Sequence, residues 1–144
     1  MTDTMQRPAT AAAPPDIERP ARRLRAVLAA NAATSLLFGV AGLVAAPYWA
    51  ETLGIDSTGW IRLVSAGLVL FAVDVGFVAA RARASLAAAA MAVSLADLAW
   101  VAATGVALAT IDFTTAGWML AVAIAAGVVD FALLQLWFRS RLAH

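Results

Sequence analysis

Polar positions are scarce along this chain, and they come in groups. Four apolar runs, about 26–46, 60–82, 85–109 and 116–138, are separated by short polar breaks. Each run is long enough to cross a hydrocarbon core as a helix, at about 1.5 Å per residue. The second is the best marked: it opens on Trp60, runs through about twenty apolar positions and closes on Arg81 and Arg83. An aromatic at one end and arginines at the other suit the two interfaces of a bilayer.

The breaks add detail. Pro47 ends the first span, and Pro47 to Leu53 reads as a short interfacial helix with proline at its first position. Gly54, Asp56, Ser57 and Gly59 are loop and helix-start residues. The turn from Arg81 to Ser85 is short, which predicts that spans two and three are antiparallel neighbours. Residues 1–20 hold four of the five prolines and no apolar periodicity, and read as a disordered tail. A signal peptide fits poorly, because both the charged stretch and the apolar run after it are too long.

Within the spans, spacing predicts faces. Asn31, Thr34 and Ser35 share one side of the first span, and Gly39 and Gly42 form a patch where another helix can come close. Ala84, Ala88, Ala92 and Ala96 recur every four residues, a second stripe suited to close approach. Ser94, Asp97 and Thr104 make a polar face on the same span, with Trp100 beside it. Gly59-Trp60 precedes Arg81 by the same distance that Gly117-Trp118 precedes Arg139, a hint of two related hairpins.

Composition agrees with this pattern. The chain of 144 residues is 63% hydrophobic and 13% charged, with a mean hydropathy of +0.85. A soluble domain of this size has no interior for so many apolar residues, so they face lipid. The fold class expected is therefore all-α: a four-transmembrane-helix bundle behind a disordered tail. All ten basic residues are arginine. Nine of them lie in the tail, the middle turn and the C-terminal end, whereas the other two loops carry Glu51, Asp56 and Asp112. By the positive-inside rule both termini are cytoplasmic; arginine without lysine, together with the heavy alanine content, suggests a GC-rich bacterial source and hence an inner membrane. The arginine cluster before the first span also suits anionic headgroups; so few charges do not suggest nucleic-acid binding.

Candidate chemistry is limited. There is no Cys, and the one His is His144. Thiol redox chemistry, paired-histidine haem ligation, zinc proteolysis and Ser-His hydrolysis are thus not expected, and no cofactor is. What stands out is three carboxylates inside three spans, Asp74, Asp97 and Asp130. Each would cost roughly 2.5–3.5 kcal/mol at a helix centre, so all three should face the bundle interior. Arg62, just inside the second span, and Asn31 and Trp100 complete the candidate polar or proton site.

Three readings stay open. In one, Asp97 pairs with Arg62, while Asp74 and Asp130 are protonated or bond Asn31, Thr34, Ser35 and Ser94. In the second, a buried carboxylate exchanges a proton for a substrate, with Trp100 stacking on a cation. In the third, some of these groups meet another membrane protein, a second copy or a bound lipid. No nucleophile–base pair is visible, so an enzyme is not expected.

Two local patterns carry a resemblance: Trp60-Ile61-Arg62 followed by Gly67, Leu70, Phe71 and Ala72, and Asp97-Leu98-Ala99-Trp100-Val101. In these the chain resembles small uncharacterised four-helix bacterial integral membrane proteins, which implies four spans and no particular activity. In size and span count it is also similar to the small multidrug resistance transporters. Those place an essential Glu in the first span, where this chain has Asn31, so no residue role is carried over. The leading expectation is a structural or accessory, partner-binding membrane protein; the alternative is a proton-coupled transporter using the buried aspartates.

Overall fold

Each apolar run becomes one helix. The computed structural model describes residues 15–82 and 84–142. They form α1 (Pro15–Val44), α2 (Ala46–Leu53), α3 (Thr58–Arg81), α4 (Leu86–Thr110) and α5 (Thr115–Ser140). No strand occurs among the described residues. Four of the helices, α1, α3, α4 and α5, are long and apolar enough to cross a membrane, so the chain is an all-α, multi-pass membrane protein. Its outside is what lipid would solvate: Leu37 is 68% exposed, Leu70 71% and Val44 80%. A water-soluble monomer rarely shows so continuous an apolar surface.

Local chemistry sets the helix ends. The short α2 carries proline at its start and closes on Gly54 in the left-handed conformation, φ 78°. The Gly54 and Ile55 N–H groups donate back to Glu51 O at 3.1 Å and Ala50 O at 2.9 Å, a Schellman closure that a side chain at position 54 would strain. At the start of α5, Thr114 Oγ1 accepts from Gly117 N at 2.9 Å, a helix N-cap. Thr114 also docks α5 on the end of α2: its N–H donates to Leu53 O at 3.2 Å and its hydroxyl to Thr52 O.

The first helix begins earlier than hydropathy suggests. Residues 15–20, read from sequence as tail, are the first turns of α1; the rest of that tail, 1–14, lies outside the described residues. Proline at a first helical position costs little, since its absent N–H would be unpaired there anyway. Pro20 lies within the helix, close enough to its start that few intrahelical bonds precede it.

Packing departs from chain order. The closest pair is α1 with α3, whereas α4 packs on α5, and α1 also meets α5. Despite their short connection, α3 and α4 touch little, unlike the neighbour packing expected from the short turn. Small residues explain the first pair. A Cβ on Gly39 would stand 3.0 Å from Ser65 O and Val69 N, and one on Gly42 would stand 2.0 Å from Ser65 Oγ. The alanine stripe, by contrast, makes no close helix contact among the described residues: Ala84, Ala88, Ala92 and Ala96 are exposed, the last two lining an open cleft towards α3.

Two cores hold the bundle. The larger joins Leu24, Leu28 and Ala32 of α1 to Val75 and Ala79 of α3 and to Leu86, Ala90 and Val93 of α4. The smaller packs Ala46 and Ala50 of α2 on Ile61. At the end of the bundle where α1 begins and α5 finishes, arginines lace helices together. Arg25 Nη1 donates to Ala79 O at 3.0 Å, and its Nη2 to Ala82 O. Those carbonyls terminate α3, where a cation is favoured. Arg139 Nε donates to Ala87 O at 3.0 Å.

Candidate functional site

Three helices contribute polar side chains to one buried knot. Asn31 and Ser35 stand one turn apart on α1, Ser94 and Asp97 one turn apart on α4, and Gln135 faces them from α5. All five are buried; Asp97 is 3% exposed and Gln135 0%. Asn31 Nδ2 donates to Asp97 Oδ2 at 2.9 Å, and Gln135 Nε2 donates to the same oxygen at 3.0 Å. Behind each amide a hydroxyl completes the chain: Ser35 Oγ donates to Asn31 Oδ1 at 3.3 Å. Ser94 Oγ lies 3.1 Å from Gln135 Oε1 and 2.9 Å from Ala90 O. The Ser94 hydroxyl has one proton, so it serves one of these two acceptors at a time.

The amide orientations are mutually consistent. Each –NH2 points at the carboxyl group and each carbonyl at a hydroxyl, the arrangement that leaves no buried side-chain atom of the described residues unpartnered. Oδ2 can accept both amides whether the carboxyl group is ionised or holds a proton on its other oxygen. Chemically, the knot is a three-helix cross-link made of one acid and uncharged partners. No cluster of metal-ligating residues occurs among the described residues.

The other sequence-derived candidates lie elsewhere. Arg62 is on the exposed side of α3, and the partners of Asp97 come from α1 and α5 instead. Charge complementarity suggested the Arg62–Asp97 pair, but α3 barely meets α4, so the guanidinium is on the wrong helix face. Trp100, one turn beyond Asp97, is 36% exposed; its carbonyl accepts from Thr104 Oγ1 at 3.0 Å. Asp74 and Asp130 were expected to face the interior but are exposed. Asp74 lines a cleft of about 210 Å³ between α3 and α4, with Phe71, Val78, Ala89, Ala92 and Ala96. Asp130 lies on the outward side of α5, along which Leu134 and Trp137 are also exposed.

Gln135 is the member that sequence reading passed over. Its signal was present: it is a lone amide in an apolar run. Such a group brings two donors and an acceptor into hydrocarbon and must find partners there.

Fold and site together define a multi-pass helical membrane protein with a buried, uncharged-partner carboxyl knot. The chain matches no protein-family model, no curated protein and no solved structure.

Proposed function

We propose that this is a non-enzymatic membrane protein of structural or accessory type, in which the Asp97 knot sets helix packing and Asp74 and Asp130 bind a partner within the bilayer. One contrast carries the reading. Of three acids within the spans, Asp97 is satisfied inside the bundle, whereas Asp74, in the open α3/α4 cleft, and Asp130 are exposed. Acids left on a lipid-facing surface are costly, and a polar group on a neighbouring transmembrane segment relieves that cost. The partner is a second copy or another membrane protein. The positive-inside rule supports a cytoplasmic side for the arginine-bearing end, and the all-arginine, alanine-rich composition supports a bacterial inner membrane.

Because the chain has no cysteine, single-cysteine variants test this cleanly. Leu70→Cys or Phe77→Cys beside Asp74, and Leu134→Cys beside Asp130, should cross-link in native membranes to one defined species. That product should vanish when the adjacent acid is changed to Leu. A native-membrane purification whose composition and size are unchanged by Asp74→Leu and Asp130→Leu together would defeat the reading.

The α3/α4 cleft supports a second reading, proton-coupled transport. It places a carboxyl group beside an aromatic ring, Phe71, and a wall of small side chains, which suits a cation with an apolar body. Proteoliposomes should then show substrate-driven proton flux that Asp74→Asn abolishes. Absence of flux across a broad panel of organic cations would remove this alternative.

A further inference from the structure

The arginines of α1 divide into two kinds. Arg25 is turned inward, its guanidinium spent on the last carbonyls of α3. Arg19, Arg22 and Arg23 are exposed and, with Ala26, line a shallow groove on the outer side of the same helix. Their spacing, i, i+3, i+4, places all three on one face, opposite Leu24 and Leu28, which are buried in the core. Glu18, one turn before Arg22 and also exposed, offsets one charge and leaves the face net positive.

That face continues into the membrane. Ala26, Ala30, Ala33 and Leu37 follow the arginines at helical spacing, and all are exposed. From Arg23 to Ala33 is roughly 15 Å along the helix, the hydrocarbon depth of one leaflet. A guanidinium cluster therefore stands directly above a smooth track of small side chains, and among the described residues no neighbouring helix covers either part.

We infer that the Arg19–Arg22–Arg23 face of α1 is a binding site for one anionic phospholipid, the guanidinium groups holding the headgroup phosphate and the Ala26–Ala30–Ala33 track carrying an acyl chain. Guanidinium forks match phosphate oxygens two at a time, which a diffuse positive field does not require. The flat alanine surface lets the chain lie along the helix where larger side chains would hold it away.

The test uses the purified full-length protein in neutral detergent. It is titrated with phosphatidylglycerol or phosphatidylcholine, and bound lipid is counted by native mass spectrometry. Phosphatidylglycerol should be preferred. Arg22→Gln with Arg23→Gln should weaken that preference by more than tenfold, since each arginine contributes about fivefold. Arg81→Gln with Arg141→Gln removes the same charge from the same end. These two arginines are stacked on Phe77 and Trp137, so this pair should change the preference less than threefold. Ala30→Trp, which obstructs the track, should weaken retention without touching a charge, whereas glycerol phosphate in excess should not displace the lipid. Equal losses from the two arginine pairs, no effect of Ala30→Trp, or displacement by glycerol phosphate alone would overturn the inference.

Discussion

Replacing Asp97 by Leu removes the acceptor on which two helices converge. The side chain is 3% exposed and close to Leu in length, so loss of packing is a minor part of the cost. What remains is Asn31 Nδ2 and Gln135 Nε2, which now donate to Oδ2 at 2.9 and 3.0 Å and would have no acceptor there. Hydrogen bonds between helices in a bilayer average about 0.6 kcal/mol and reach about 1.7. A buried donor left unpaired costs about 1–3 kcal/mol. Two bonds of this kind give an expected loss of about 2 kcal/mol.

Asp97→Asn separates hydrogen bonding from charge. Its carbonyl oxygen can occupy the place of Oδ2 and accept both amides, so the expected loss is under about 1 kcal/mol. Asn31→Leu and Gln135→Leu share the same acceptor oxygen, so their effects should not add in a double-mutant cycle. The assay is reversible unfolding in mixed micelles of increasing dodecyl sulfate content, followed by far-ultraviolet circular dichroism and tryptophan emission. Arg62→Gln is the control, because Arg62 is exposed on α3 and should not move the midpoint. An Asp97→Leu protein as stable as the parent, or an Arg62→Gln protein as destabilised as Asp97→Leu, would refute the reasoning.

Other expectations follow from close approaches and from the arginine end. Gly117→Ala puts a Cβ 2.8 Å from Leu53 Cα and O, backbone atoms that cannot turn aside; it should cost about 1–3 kcal/mol in the same unfolding assay. Gly39→Leu should pry α1 from α3, while Gly105→Leu and Gly127→Leu, which meet nothing within 4 Å, should leave the folded yield in detergent unchanged. Arg25→Lys loses the fork that spans Ala79 O and Ala82 O, and hydrogen exchange at the last turn of α3 should rise severalfold.

The spans were legible because a run of twenty apolar residues has few other uses. The expected 60–82, 85–109 and 116–138 compare with Thr58–Arg81, Leu86–Thr110 and Thr115–Ser140. Hydropathy could not show that α1 starts at Pro15, since a helix leaving the membrane loses its apolar signal while keeping its backbone bonds. The packing order was hidden for a different reason. Short turns favour neighbours, but Gly39 and Gly42 drew α3 to one side of α1, and Gln135 drew α4 to α5. The site was half visible. Asn31 and Asp97 stood out as polar residues within spans, yet a formal charge on Arg62 outweighed a neutral amide as the expected partner.

That preference for a charge misjudges what hydrocarbon rewards. A guanidinium drawn to Asp97 would have to leave the interface and be desolvated, and the gain of an ion pair can fall short of that cost. Amides bring donors without a second charge, and their own carbonyls are then satisfied by hydroxyls such as Ser35 on the same helix as Asn31. The knot therefore ties α1, α4 and α5 without moving any arginine from its end of the bundle. This also explains why α3, fixed to α1 by close glycine packing and by the Arg25 guanidinium and not by the knot, touches α4 little and leaves Asp74 in the cleft between them. A helix that meets α4 so little is the element best placed to accept a further neighbour on that side. Partner binding should accordingly respond to Asp74→Leu more than to Asp130→Leu, and a cross-link stronger at Leu134→Cys than at Leu70→Cys would reverse that order.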